Sequence, residues 1–515
     1  MLRIHSVVLR LSCVVAAQGV LALQAPAQVT CQPSWQASFG QALGVEGEVD
    51  ALEVYDDGTG RALYVAGDFD TVGGVSAASI AKWDGTHWSA VGSGISGAVR
   101  ALTVFDDGSG EALFAGGEFQ SAGGGAANFI AKWDGSAWTA LGSGMSGALG
   151  ATRVSALVAY DDGTGGVLCA GGQFDTAGGV PAGSVATWDG ASWSPLGSGV
   201  SGEVLALAIV DPGNGPVLYV GGDFVFAGAV LTGSIAKWNG TKWSVLGSGI
   251  GKPVRALAAF DDGSGEALFA GGDFTSPGTY VAKWNNSAWS EVGWGTDARV
   301  RALAAISDGN GSALYVGGDF SIAASLGGIA TSDHIAKWNG TQWLTLGDGV
   351  DGSVRAVVKF DDGSHPAPFV GGDFTAAGSV LANHITTWAC SAWTDLGFAL
   401  AGTMGTPLLV GIGDLTAGSP ASIVLQKAAP VSLTHLLVAD HSTPTAFKCG
   451  TLVPGLTQFH KHIVLVTSAS GDLHLEWPAF PASLSGLSLY FQYVIPDAGA
   501  VCGAALSNAL RADVP

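Results

Sequence analysis

The chain has 515 residues, 48% apolar and only 12% charged, with 80 glycines and 19 prolines. Acidic residues outnumber basic ones 42 to 21, and the formal charge of −21 repels phosphate backbones, which argues against nucleic acid or an anionic membrane as a partner. Gly-rich turns between short Val/Ala/Leu/Phe runs, with little helical periodicity, indicate an all-β chain long enough for two domains.

Arg3 and Arg10 precede the apolar run Leu11–Leu23, and Ala25-Pro26-Ala27 gives the small-x-small pattern of a signal peptidase site. Residues 1–27 therefore read as a signal peptide. The run is too short for the roughly 20 residues of a membrane span. The expected product begins at Gln28, is secreted or held at the cell surface, and is a monomer.

From residue 28 to 400 one unit of roughly fifty residues recurs seven times. Its marker, a Gly/Ala-Gly-acid-Phe step, ends at Phe69, Phe119, Phe174, Phe224, Phe274, Phe320 and Phe374, with Gln173 replacing the acid once. In the second copy, Val99–Phe105 is a first strand, followed by the turn Asp106-Asp107-Gly108-Ser109-Gly110. Ala112–Ala115 is a second strand, Phe129–Trp133 a third, and the Asp134-Gly135 turn leads into a fourth at Trp138–Leu141. Four antiparallel strands make a blade, so the array predicts a seven-bladed β-propeller. Trp35–Val49 reads as the end of a unit without its beginning. Cys31 and Cys390, near the two ends of the array, are expected to meet at ring closure and form a disulfide.

The Gly-Gly doublet after the second strand and the Trp pair around the third and fourth resemble kelch and galactose-oxidase propellers. The likeness covers about Val49 to Gly397. It implies the fold rather than an activity, since such propellers host many functions. The Asp-Asp-Gly-Ser/Thr-Gly turn departs from the usual kelch unit and is similar to a subset of secreted bacterial repeats.

After Ala401 the period breaks. Leu408–Ile412, Ser422–Gln426, His435–Val438, Ile463–Thr467, Leu473–Trp477 and Leu487–Val494 read as strands of a small β-sandwich spanning 401–515, with Cys449–Cys502 as its disulfide. Tyr490-Phe491-Gln492 through Ser507-Asn508-Ala509 resembles the tail domain that ends many exported bacterial repeat proteins. Cys169 occupies a slot that other copies fill with Tyr or Phe, so it reads as a buried core thiol.

Candidate chemistry is sparse. The Asp-Asp-Gly turns at Asp56, Asp106, Asp161, Asp261 and Asp361 supply too few oxygens for calcium and suit tight turns, so no cofactor is expected. Arg100/Glu118, Arg255/Asp273, Arg301/Asp319 and Arg355/Asp373 should face each other across their hairpins as ion pairs that fix register. His87, His334, His365 and His384 occupy scattered slots, and five tyrosines sit at core positions, so a galactose-oxidase-type copper site is not expected. No nucleophile elbow or zinc-protease motif is present. His460 and His462 share one strand face but lack a third ligand, and no metal site is assigned. No catalytic residue and no specific binding residue is assigned.

Loop lengths point elsewhere. The second-to-third strand loop and the link to the next blade emerge on one side of the disc, and there lengths vary: Ser276–Thr279 is short, while Ile322–Asp333 and Met145–Arg153 are long. The expected function is non-catalytic binding of an extracellular polysaccharide or protein through that face. A hydrolase or lyase at the propeller axis and a purely structural envelope role are the alternatives.

Overall fold

The computed structural model describes residues 33–36 and 44–514, apart from short stretches in the latter that include 148–151, 162–164, 308–310, 362–365, 390–392, 416–420, 455–459 and 501–502. The described residues contain no α-helix, only a 3-10 turn at Ala482–Leu484, and no helix long and apolar enough to cross a membrane. The chain divides into one compact unit at 33–389 and a second that includes 390–515.

The first unit is a β-propeller. Its described residues form seven sheets built on the four-strand plan, their first strands being Val45–Asp56, Val99–Asp106, Arg153–Tyr160, Glu203–Val210, Val254–Asp261, Val300–Ser307 and Ser353–Asp361. Each first strand packs beside the next, and the last packs against Val45–Asp56, so the ring closes.

The Gly-Gly doublet makes this stacking possible. A Cβ on Gly116, Gly171, Gly221, Gly271, Gly317 or Gly371 would strike a valine on the first strand of the next blade; at the closure point that valine is Val49. The second glycine of each pair lies against a backbone carbonyl at, or one residue before, the start of its own first strand, as Gly117 does against Ala98. In every blade the first strand carries a β-bulge beside that contact, for instance between Val99 and Ala101. The bulge leaves Asp50, Arg100, Ser155, Leu205, Arg255, Arg301 and Arg355 out of the ladder.

Tryptophans tie the blades' outer edges. The indole N–H of Trp138, Trp193, Trp243, Trp289 and Trp343 each donates to a carbonyl of the preceding blade's link, at 2.9–3.3 Å. The seventh blade departs from the expected hairpin. Its strands Ser353–Asp361, Pro366–Asp373 and Ile385–Ala389 are completed by Ser34–Gln36, which places Trp35 opposite Trp388, and Trp35 donates to the Leu346 carbonyl at 2.9 Å. Trp393–Gly397, inside the stretch to residue 400 that the sequence assigns to the repeats, instead pairs with Ala509–Asp513, so the tail's strands begin before residue 401.

The second unit has two main sheets around one core. The larger runs Trp393–Gly397, Ala509–Asp513, Ser488–Pro496, Leu433–Ala439, His460–Val466, with Ala504–Leu506 beside Ser488–Pro496. The smaller runs Leu408–Ile412, Ala421–Gln426, Leu473–Trp477. Leu409, Ile423, Leu425, Leu436, Phe491, Tyr493 and Leu510 fill the space between them. The Gln492 amide, buried at 0% exposure, donates to Thr451 and Ser507 carbonyls and accepts from the Val453 N–H; Asn508 clasps Leu409. The polar residues that close the sequence are thus satisfied core members.

Candidate functional site

The Asp-Asp-Gly turns are self-contained. The Asp56 carboxylate accepts from the N–H groups of Gly58 and Gly60 at 2.9 and 3.0 Å. The Asp57 carboxylate accepts from Thr59, from the Tyr64 hydroxyl at 2.8 Å and from the Lys82 ammonium at 2.6 Å. The same Lys-to-Asp bridge recurs at Lys132–Asp107 and Lys283–Asp262, again at 2.6 Å. Burial alone would raise the Asp57 carboxyl, but the donors around it hold it down at about 2. The second carboxylate of these three turns is spent on a lysine of its own blade, which explains the turn without a metal. Asp162, Asp308 and Asp362 lie outside the described residues.

At the opposite end of the first strands, the five charged residues among those at the bulges, Asp50, Arg100, Arg255, Arg301 and Arg355, join neighbouring acids and Arg153 in a ring of ion pairs. Arg255–Asp273 and Arg301–Asp319 pair bidentately within their blades, with contacts of 2.7–3.0 Å. Arg100–Glu118 is a single 3.1 Å contact and Arg355–Asp373 a looser one at 3.8 Å. The sequence reading missed that the ring also stitches neighbouring blades. Asp50 accepts from Arg100 at 2.6 Å and from Arg355 at 3.0 Å, one from each flanking blade. Arg153 holds Glu203 of the next blade through two 2.6 Å bonds. The first and fourth copies, whose own pairs are absent, are therefore served by their neighbours. With its guanidiniums engaged, the ring fastens neighbouring blades to one another.

One position on the first-strand wall is charged only once. Glu53 stands where the other blades carry Thr103, Val158, Ala208, Ala258, Ala304 and Val358, each opposite the central aromatic or Cys169 of its second strand. Burial pushes its carboxyl up to about 7 against the Val54 N–H bond that lowers it.

His334 and His384 do not sit in scattered slots: both follow the second-to-third strand loop, at a position that adopts φ of 58–71° in all seven blades as Ser79, Phe129, Ser184, Ser234, Tyr280, His334 and His384. Each N–H donates to the Phe carbonyl that closes the preceding strand, as Ser79 does to Phe69 at 2.8 Å. The lengthened sixth loop hid this equivalence in sequence. His365 lies outside the described residues.

The variable face is where the blades differ. Each second-to-third strand loop except the short one in blade 5 folds into a hairpin, and from blade 2 onward the preceding link pairs with it, as at Ile95/Ala122, Val200/Ala227 and Gly295/Ala324. The exposed cross-strand pair is Thr71/Ser76 in blade 1 and Ser121/Ala126 in blade 2. In blade 4 it is Phe226/Leu231, at 44% and 65% exposure beside Val225 at 54%. In blade 7 it is Ala376/Leu381, and the longer hairpin of blade 6 exposes Ile322 and Ile329. Trp294 directly precedes Gly295–Thr296, a strand of the small sheet that holds Ile329, and its backbone N–H donates to the Ala324 carbonyl at 2.6 Å. It is 54% exposed and takes the slot that Ser93, Ser143, Ser198, Ser248 and Asp348 fill elsewhere. That departure from the repeat was the available signal, and the sequence reading passed over it.

Of the disulfide residues, Cys31, Cys390 and Cys502 lie outside the described residues. Cys449 is disulfide-bonded. Cys169 is a free thiol at 0% exposure in the core, its thiol pushed up to about 12 by burial.

Residues 145–309 match the family model of the Rax2 C-terminal beta propeller domain, less than half of the chain. No curated protein matches the sequence. Among solved structures, the V. cholerae biofilm matrix protein Bap1 aligns at 13% identity over 80% of this chain and 66% of that one, with a TM-score of 0.26. At that score the likeness carries no argument, and the chain spans less than two thirds of Bap1. The seven sheets and the Rax2-type match agree that the repeat array is a β-propeller.

Proposed function

We propose that the protein is an exported, non-catalytic binding or scaffold protein whose variable-loop face docks an extracellular partner. The observation that carries this is the uneven placement of exposed large apolar side chains. Within the repeat array most of them lie on the hairpins of blades 3, 4, 6 and 7 and at Trp294, with Val180 of blade 3 at 42% exposure, while blades 1 and 2 present Thr, Ser and Ala at their outer hairpin positions. Water-exposed aliphatic side chains clustered on a rigid scaffold mark interaction surfaces. Phe226, Leu231, Ile329 and Leu381 suit the apolar centre of a protein interface. A second reading, an extracellular polysaccharide, rests on Trp294, whose flat indole can stack on a sugar ring while its N–H bonds a hydroxyl.

The test is binding of the tag-free chain from Gln28 to a panel of extracellular proteins and glycans, repeated with Phe226→Ser/Leu231→Ser and with Trp294→Ala. Saturable protein binding lost in the double variant supports the main reading. Glycan binding lost only in Trp294→Ala supports the second. Binding unaffected by either would overturn the assignment of this face.

A further inference from the structure

The tail holds a pair of histidines that the propeller reading does not use. On the larger sheet, Leu437 lies opposite His462 and His435 opposite Val464, so His435 and His462 are diagonal neighbours on adjacent strands. Long side chains reach across such a diagonal. Here they meet: His435 Nδ1 and His462 Nε2 are 2.7 Å apart, with ring centroids at 4.9 Å and planes at 24°. Sequence spacing alone pointed to His460 and His462, two residues apart on one strand. The fold supplies the partner from the neighbouring strand that the sequence could not.

The surroundings leave this hydrogen-bonded pair open to an ion from solvent. Thr434 and Leu436 point inward and are buried, so His435 lies on the outer face, half-buried, with His462 exposed beside it. Leu433, Val464 and Val466 flank them on that face at 58%, 47% and 56% exposure. His460–Val466 is the edge strand of its sheet, which leaves the outer side open for water to complete a coordination shell. Two imidazole nitrogens bound to one tetrahedral zinc at 2.0–2.1 Å stand about 3.3 Å apart, so to take an ion the pair must give up its shared proton, open by about 0.6 Å and turn both lone pairs toward the metal. No carboxylate contacts either ring among the described residues. An all-imidazole donor set selects borderline transition metals over calcium or magnesium.

We propose that His435 and His462 form a surface site for a divalent transition-metal ion of the zinc and copper class, with solvent filling the remaining positions.

The experiment is titration of the tag-free chain with Zn2+ by calorimetry at pH 7.5, and with Cu2+ by electron paramagnetic resonance. The expected result is one site of micromolar affinity, with a Cu2+ spectrum showing coupling to imidazole nitrogen. His435→Ala and His462→Ala should each weaken it at least tenfold, while His474→Ala leaves it unchanged. His462→Gln, which keeps a hydrogen-bonding side chain, should lose the metal as His462→Ala does, separating ligation from folding. Absence of binding below millimolar metal, or affinity unchanged in both alanine variants, would overturn the proposal.

Discussion

Trp35 and Trp388, from opposite ends of the repeat array, meet edge-on with ring centroids 5.0 Å apart. The N-terminal strand thereby completes the last blade, and its indole takes up the inter-blade hydrogen bond that Trp138, Trp193, Trp243, Trp289 and Trp343 make elsewhere. Trp35→Ala should cost about 3–5 kcal/mol, the usual figure for a buried Trp. Thermal unfolding followed by circular dichroism should show a lower Tm, whereas Trp294→Ala, altering an exposed ring, should leave the Tm unchanged.

Asp50 is the least exposed carboxylate of the axial ring's ion pairs, its side chain only 7% exposed between Arg100 and Arg355. Asp50→Asn leaves both guanidiniums short of a counter-charge at the seam. Because the arginines are 29% and 23% exposed, the loss should be about 2–3 kcal/mol, under the 3–5 for a fully buried pair. Denaturant titration of Asp50→Asn beside Asp68→Asn checks this; Asp68 is exposed, and its replacement should change nothing measurable.

Two carboxylates make stability depend on pH in opposite directions. Asp57 is held at about 2 against an ordinary 3.8, so its contribution is present above pH 4 and is lost as pH falls toward 2. Glu53 is raised from 4.5 to about 7, so its contribution is present below pH 4.5 and is lost as pH rises through 7. Melting temperatures should therefore be highest near pH 5. Glu53→Gln should raise the Tm at pH 8 and leave it unchanged at pH 4.5, while Lys82→Met should bring acid unfolding to higher pH.

Cys169 should resist chemistry while the propeller is folded. Burial at 0% exposure and a thiol pushed up to about 12 leave almost no accessible thiolate. Iodoacetamide at pH 8 should leave Cys169 unmodified in the native protein and alkylate it in guanidinium, as read by peptide mass spectrometry.

Much of the propeller was legible because its signals are local. The Asp-Gly turns, the Trp pairs and the Gly-Gly doublet each recur at fixed spacing, and each has a short-range reason: a tight turn, a hairpin, a close backbone approach. The paired arginines were legible too, since hairpin register follows from turn position. What escaped was non-local. Nothing in the sequence near Trp393 says that its strand belongs with Ala509–Asp513, or near Asp50 that two other blades will reach it. His435 and His462 meet only because two tail strands pair in one register. The face that differs between blades was visible as loop length, but its character lay in single departures such as Trp294 and Phe226, which become conspicuous once equivalent slots are laid over one another.

The shared seventh blade also sets an order of events. Ser34–Gln36 is synthesised before any repeat, yet its pairing partner Ile385–Ala389 comes with the last one. Joining strands so far apart in sequence carries a large loop-closure entropy and is slow relative to local hairpins. Individual blades can form as they are made, but the ring locks only when the final repeat arrives. A chain cut short anywhere before Ala389 would leave an unpaired strand at each end, so truncation products should be open arcs prone to associate with one another rather than smaller rings.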